Sequence, residues 1–292
     1  MARSRGWTAG VVIVATTAGA VAGTAIFVTM HKTIVHSGLC TATVGQEAFT
    51  TTTDRSNLAA LIAVRASTYD LGTDAATVAL ATAIQESGLR NLAYGDRDSL
   101  GIFQQRPSQG WGTKEQVQDA YYSTRKFYLA LKKVADWQDL RVTEAAQAVQ
   151  RSGFPEAYAY HEAEARAWAT ALRGDAGPGA VDCDLDAAAP GSTDALVKRV
   201  KKDYPDGTWD ATVIGTVDGS SEVLFTPVKG AVADPGLAQV SLANWAVATA
   251  DELSISAVRE GTESWVRTHG LATLDAPIAE NGVVISVTNP AE

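Results

Sequence analysis

A run of small apolar residues from Thr73 to Ser87, TDAATVALATAIQES, constrains the fold more than any other stretch of the chain. Thr73 or Asp74 offers an N-cap and Gly88 a stop, so the run is expected to be helical. Ala75, Val78, Ala81 and Ile84 recur at helical spacing, and most are small. Small side chains let neighbouring segments approach closely, which predicts a buried central helix rather than a surface one. Glu86 falls in its last turn. A carboxylate there faces the negative end of the helix dipole, and partial burial adds to the effect, so both disfavour its charged form. A carboxylic acid that keeps its proton near neutral pH can serve as a general acid. Taken alone, a Glu at a helix end is more often a solvated residue.

The residues that follow change that balance. Tyr94-Gly95-Asp96-Arg97-Asp98 is a polar turn, and Ser99-Leu100-Gly101-Ile102-Phe103-Gln104-Gln105 sets two amides beside an apolar anchor. Arg106-Pro107 and Gly110-Trp111-Gly112 close an aromatic loop. Amides bond sugar hydroxyl and N-acetyl groups, and aromatic faces stack on sugar rings. A loop of this composition beside a helix-borne acid is what a neutral polysaccharide site requires.

Glu86-Ser87-Gly88 followed by Gly101-Ile102-Phe103-Gln104-Gln105 resembles the lysozyme-like lytic transglycosylase superfamily, over about Asn57 to Arg173. The resemblance implies that Glu86 is the catalytic acid/base, that Ser87 is its supporting neighbour, and that Gly101 to Gln104 line the cleft. Tyr94, Gln105, Arg106 and Trp111 are the further substrate-binding candidates. Two departures stand out. Phe103 occupies a position where Met is usual, and the late Ala-Tyr-Asn motif is missing, with Gln147 to Ser152 in the comparable place. The implied activity is cleavage of the glycan strand of peptidoglycan. A lytic transglycosylase needs one carboxyl, whereas a hydrolytic lysozyme usually needs a second across the bond. Asp98 and Asp96 are the candidates for that second group, against the commoner use of Asp beside Gly as a turn cap. The alternative is a non-catalytic, membrane-tethered wall-binding or scaffold protein that keeps a lysozyme-like cleft.

Composition narrows the classes further. A formal net charge of −9 over 292 residues, with no basic stripe, argues against a nucleic-acid partner. The histidines, His31, His36, His161 and His269, lack ligand spacing, so no metal site is expected. No phosphate loop, dinucleotide fingerprint or nucleophile elbow occurs, and no cofactor is expected.

Arg3 and Arg5 precede an uncharged stretch from Gly6 to Met30, long enough to span a bilayer. The basic flank predicts a single-pass anchor with the remainder outside the cell membrane. Secretion after cleavage near Ala20-Val21-Ala22 is the rival. The expected organisation is a cytoplasmic stub and transmembrane helix over 1–36, a linker over 37–56, a mainly α lysozyme-like domain over 57–173, a linker over 174–193 and a small α+β domain over 194–292. In the helical domain, a helix is expected over about Lys114 to Trp137, a short one from Thr143 to Arg151, and a last one from Pro155 to about Leu172. The α+β domain should hold a helix from Asp194 to Tyr204, a hairpin through Asp218-Gly219 and a helix from Pro235 to Leu253. It carries no acid, base or nucleophile constellation, and wall binding, docking of a protein partner or dimerisation are open to it. Cys40 and Cys183, the only two cysteines, flank the helical region and would face an oxidising compartment, so a disulfide is expected.

Overall fold

The computed structural model describes residues 38–277 and 281–290, and from residue 38 on they belong to one compact unit. The expected anchor over Gly6 to Met30 lies outside the described residues, and among those described no helix is long and apolar enough to cross a membrane.

The chain opens with β1 (Leu39–Val44) and β2 (Glu47–Thr52), a hairpin turned at Gly45, whose φ is 62°. Helices α1 (Thr53–Arg65) and α2 (Thr73–Ser87) follow. Past the loop come α3 (Lys114–Gln118), α4 (Ala120–Leu131), α5 (Val142–Gln150) and α6 (Glu162–Arg173). Strand β3 (Val181–Asp184) pairs antiparallel with β1 and completes a three-stranded sheet in the order β2-β1-β3. The remainder is α7 (Thr193–Asp203), β4 (Trp209–Val217), β5 (Ser220–Pro227), α8 (Pro235–Ala248), β6 (Ile255–Glu260), β7 (Glu263–Val266), β8 (Gly270–Thr273) and β9 (Val283–Thr288). Its strands form one antiparallel sheet in the order β4-β5-β9-β6-β7-β8.

The expectation of a mainly α domain followed by a small α+β domain is corrected by this architecture. The fold is mixed, 42% helical and 23% strand, with two antiparallel sheets. The stretches read as linkers carry strands: 37–56 holds β1 and β2, and 174–193 holds β3. Thr41, Thr43, Thr50, Thr51 and Thr52 make the first stretch polar, yet threonine suits a pleated surface, and Thr41 and Thr50 bond across the hairpin at 2.8 Å. Cys40 and Cys183 are register partners on β1 and β3 and are disulfide-bonded.

The single helix expected from Lys114 to Trp137 is broken. Thr113 and Gln116 form a capping box for α3, and Asp119, extended at ψ 116°, caps α4 by accepting from the backbone N–H groups of Tyr121 and Tyr122. The last helix of that region likewise starts as a 3-10 turn, Ala157–His161, before α6. Asp218-Gly219 does form the two-residue hairpin turn, with φ of 47° and 72°, between β4 and β5.

Helix α2 is buried almost all round, from Ala75 to Ala83, and packs against α1, α5 and α6. Thr77 and Thr82 lie inside it without orphaned hydroxyls, because each donates to the carbonyl four residues back, at 2.9 and 2.7 Å. Helix α8, buried from Ser241 to Ala248, packs on α6, on α1 and on the large sheet. Asn244 and Ser241 of α8 donate to the carbonyls of Ala171 and Leu172 at the end of α6, each at 2.8 Å. The two halves therefore share one core, in which Trp168 and Trp245 are fully buried.

Candidate active site around Glu86

Glu86 ends the central helix at a point where the backbone is fixed. Gly88 and Leu89 both take left-handed conformations, at φ 62° and 55°. The N–H of Gly88 donates to Ile84 at 2.8 Å and that of Leu89 to Ala83 at 3.1 Å, the paired bonds that close a helix. Leu89 is thereby drawn into the core. Ser87 turns inward and donates to the Ile102 carbonyl at 2.7 Å, which ties the loop segment from Gly101 to Gln104 to the end of α2.

That segment is a tight hairpin. Leu100 and Gln105 exchange backbone bonds at 3.1 and 3.0 Å, and the Gly101 N–H donates to Leu92 at 2.8 Å. Gly101 is required here: its φ is 79°, and a Cβ would fall 2.2 Å from the Val117 carbonyl oxygen. Phe103 stacks on Phe127 with ring centroids 4.7 Å apart and is fully buried, so the larger residue at this position is a core anchor. Gln104 holds the loop together from within, its Nε2 donating to the carbonyls of Gly101 at 3.1 Å and Tyr94 at 3.3 Å.

The opposite side of Glu86 comes from the end of α5 and the turn before α6. Tyr158 is fully buried and its hydroxyl donates to Glu86 Oε1 at 2.8 Å. Gln150 Nε2 donates to the Phe103 carbonyl at 2.8 Å. Burial pushes the Glu86 carboxyl above the ordinary glutamate range, while the Tyr158 hydroxyl, and to a lesser degree the nearby Gln150 amide, pull it down; burial wins. The Tyr158 phenol is pushed well above its usual range by burial and then by Glu86, so it remains a protonated donor.

The sequence-predicted residues divide into two groups. Glu86, Ser87, Gly101 and Gln104 come together as described, with Tyr94 exposed on the rim. Gln105 points away: it is buried and donates to the Ser123 carbonyl at 3.2 Å, so it fastens the loop to α4. Trp111 is half-buried against the core. Arg106 pairs with Asp98 at 2.9 Å. Asp98 is saturated, because its Oδ2 accepts from the Ser108 N–H at 2.7 Å and its Oδ1 from Arg106 and from the Ser108 hydroxyl at 2.9 Å. The Ser108 N–H, foremost, and the Arg106 guanidinium hold its carboxyl far below the usual range. Asp98 is thus the clasp of the loop, and Asp96 stands in solvent beside Arg97 at 3.8 Å, its side chain 90% exposed.

Tyr158 and Gln150 adjoin Glu86 without being among the site residues expected from the sequence. Tyr158 reads as one member of an apolar stripe, and only its hydroxyl, unusual in a helix core, hints at a polar partner. His161 is half-buried and meets Gln85 at 2.9 Å, one residue from the acid. Among the described residues no three His, Cys, Asp or Glu side chains converge as metal ligands would. A concavity of about 460 Å³ between the β1–β2 turn and α6, lined by Glu47, Glu162 and Arg166, does not include Glu86. Arg166 is already paired there with Asp74 and Glu162, at 3.1 and 2.9 Å.

No protein-family model matches this chain, and no curated protein matches it either.

Proposed function

We propose that this protein cleaves the glycan strand of peptidoglycan as a lytic transglycosylase, with Glu86 acting first as acid and then as base. The observation that carries the reading is the state of that carboxyl: half-buried, shifted toward its protonated form, and held by the Tyr158 hydroxyl at 2.8 Å. In the first step Glu86 gives its proton to the glycosidic oxygen as the bond from the anomeric carbon breaks. In the second, the carboxylate takes a proton from a hydroxyl of the same muramyl sugar as that oxygen attacks the anomeric carbon. The product carries an anhydro end, no water is consumed, and Glu86 recovers its proton.

A hydrolytic course is less well supported. It needs a carboxylate placed across the bond to activate water or to attack; Asp98 is saturated in its clasp, and Asp96 projects into solvent beside Arg97. The Cys40–Cys183 disulfide supports an oxidising, extracytoplasmic setting, where the polymer lies.

The test is incubation of the protein with purified peptidoglycan and mass analysis of the soluble fragments. Anhydro-ended muropeptides are expected from the parent and none from Glu86→Gln. The amide is isosteric and still hydrogen-bonds but cannot transfer a proton, a loss of about 10²–10⁴ in rate or more. Reducing ends would assign a hydrolase. An intact, pelleted complex with no fragments would assign a wall-binding protein, and activity retained by Glu86→Gln would remove Glu86 from the chemistry.

A further inference from the structure

The two ends of the six-stranded sheet are built differently. Strand β8 at one end is four residues long and lies against β3. Strand β4 at the other end is nine residues long, and from Ala211 to Val217 it carries no charge and no proline, the usual devices that keep an edge from pairing. Val213 and Ile214, 61% and 48% exposed, stand out from it uncovered. The backbone alternation fixes what this edge offers. Thr208 accepts from the Val228 N–H at 2.9 Å, so Asp210 and Thr212 exchange bonds with Thr226 and Leu224 of β5. The N–H and C=O groups of Ala211 and Val213 therefore point away from the sheet, and among the described residues no other backbone group bonds them. A bulge between Val213 and Gly215 then ends the regular edge.

We propose that β4 pairs antiparallel with β4 of a second copy of this chain, about a twofold axis at Thr212, so that the sheet continues across a dimer. The occupant follows from the edge itself. The exposed stretch has no charge by which a partner of opposite sign would be selected, and at a net charge of −9 a charge-free edge is where two copies can meet without facing carboxylates. With Thr212 on the axis, Ala211 of each copy exchanges both backbone bonds with Val213 of the other. The two threonines face each other, a favourable cross-strand pair, and each Val213 packs beside the other copy's Ala211. The two Asp210 carboxylates then stand about 14 Å apart, beyond the screening length of about 10 Å. Centring the pair on Ala211 would bring them to about 8 Å. Centring it on Val213 would need Gly215, which the bulge turns inward to Glu222. Because both copies present the same edge, pairing them closes it and leaves none there for a third.

The experiment is sedimentation velocity of the full chain in non-ionic detergent over a dilution series, with disulfide trapping alongside. The parent should sediment as a dimer that dissociates on dilution. Val213→Pro removes an outward N–H without touching the bonds to β5, and Val213→Lys sets a charge on the edge. Each should weaken dimerisation about 10-fold or more while keeping the parent's circular dichroism. Thr212→Cys introduces the only free thiol, since Cys40 and Cys183 are bonded to each other. Across the axis the two Cα atoms would lie about 4.5 Å apart, within disulfide reach, so mild oxidation should give a covalent dimer. Thr216→Cys, about 26 Å from its mate, should not. A parent that stays monomeric at every soluble concentration overturns the proposal. So does a dimer that both Val213 variants leave intact, or one in which Thr216→Cys is trapped as readily as Thr212→Cys, because the contact then lies on another face. None of these results depends on whether the chain cleaves glycan.

Discussion

Asp203 is the residue whose loss should most damage this fold. It ends α7 with no exposure to solvent, and three elements converge on its carboxylate. Arg199 donates Nε to Oδ2 at 2.9 Å, the Trp245 indole of α8 donates to the same oxygen at 2.9 Å, and the Tyr121 hydroxyl of α4 donates to Oδ1 at 2.6 Å. Asp203→Ala leaves two polar donors without an acceptor in a dry place. It also leaves a guanidinium that is 11% exposed with only Asn57 and the half-exposed Glu252 for company, each at 3.0 Å. Breaking a buried pair from one side costs about 3–5 kcal/mol, because the surviving charge keeps its desolvation penalty. For a unit of this size that is about 6–20 °C in Tm, and a large part of the 5–15 kcal/mol that domains commonly have.

The assay is urea unfolding followed in parallel by far-ultraviolet circular dichroism and by tryptophan fluorescence. Tyr121 belongs to the helices around Glu86 and Trp245 to the C-terminal half, so the two probes should shift together and stay coincident. A loss under about 1 kcal/mol would mean that the network contributes no more than a surface ion pair. Two separated transitions would mean that the halves fold independently, and the shared-core description would then be wrong.

Closing a loop between residues 143 apart, the Cys40–Cys183 bond is expected to contribute about 5 kcal/mol in the loop-entropy model, read as the difference in unfolding free energy with and without reductant. A chain ending at Pro190 loses α8 and with it Asn244, Ser241 and Trp245 from the core, so it should lack a cooperative thermal transition; a cooperative one would refute this. Glu86→Gln should be more stable than the parent at neutral pH. The folded-state value is raised, so the native state binds more protons than the unfolded one as pH rises from the ordinary glutamate range, and stability falls across that window. The advantage of Gln is therefore complete above the folded value and absent below the unfolded one, as paired melts across pH would record. Gly101→Ala should cost over 1 kcal/mol and much of the activity, because the Val117 carbonyl oxygen occupies the space of the new methyl group.

What the sequence made legible was local. The end of α2, with its acid, its serine and its glycine, is written in consecutive residues, and Gly101 carries its requirement in its own backbone. The Asp218-Gly219 turn was equally readable. Features closed over long separations were not. Tyr158 reaches Glu86 across 72 residues, and nothing near either one announces the bond. Strand β1 needs β3, which arrives more than a hundred residues later, so its threonines look like a solvated linker until their partner is known. The split between α3 and α4 failed for a different reason. Val117, Tyr121 and Thr124 keep helical spacing across the break, and the capping chemistry of Asp119, the actual signal, was outweighed by that periodicity.

On the proposed transglycosylase mechanism, the missing late motif has a physical counterpart. A carboxyl that must first give a proton and then take one cannot be fixed too far toward either form. Burial alone would leave Glu86 a good acid and a reluctant anion. Hydrogen bonds alone would leave it an anion with no proton to give. Here the two influences oppose each other at one oxygen pair: the apolar setting of the α2 terminus favours the acid, and Tyr158, with Gln150, favours the carboxylate that the proposed first step would leave. Tyr158 keeps its own proton throughout, because burial and the neighbouring carboxyl both push its phenol upward. It can therefore only donate, which is the role the second step requires. The chain thus supplies from its own Ala-Tyr-Ala-Tyr segment a hydroxyl donor to the acid. Tyr158→Phe separates the two influences: it removes stabilisation from the anion and leaves the burial in place. The pH at which half of Glu86 is ionised should then rise, moving the base limb of the rate profile upward while the maximal rate falls. A profile that stays where it was would mean that Tyr158 only fills space.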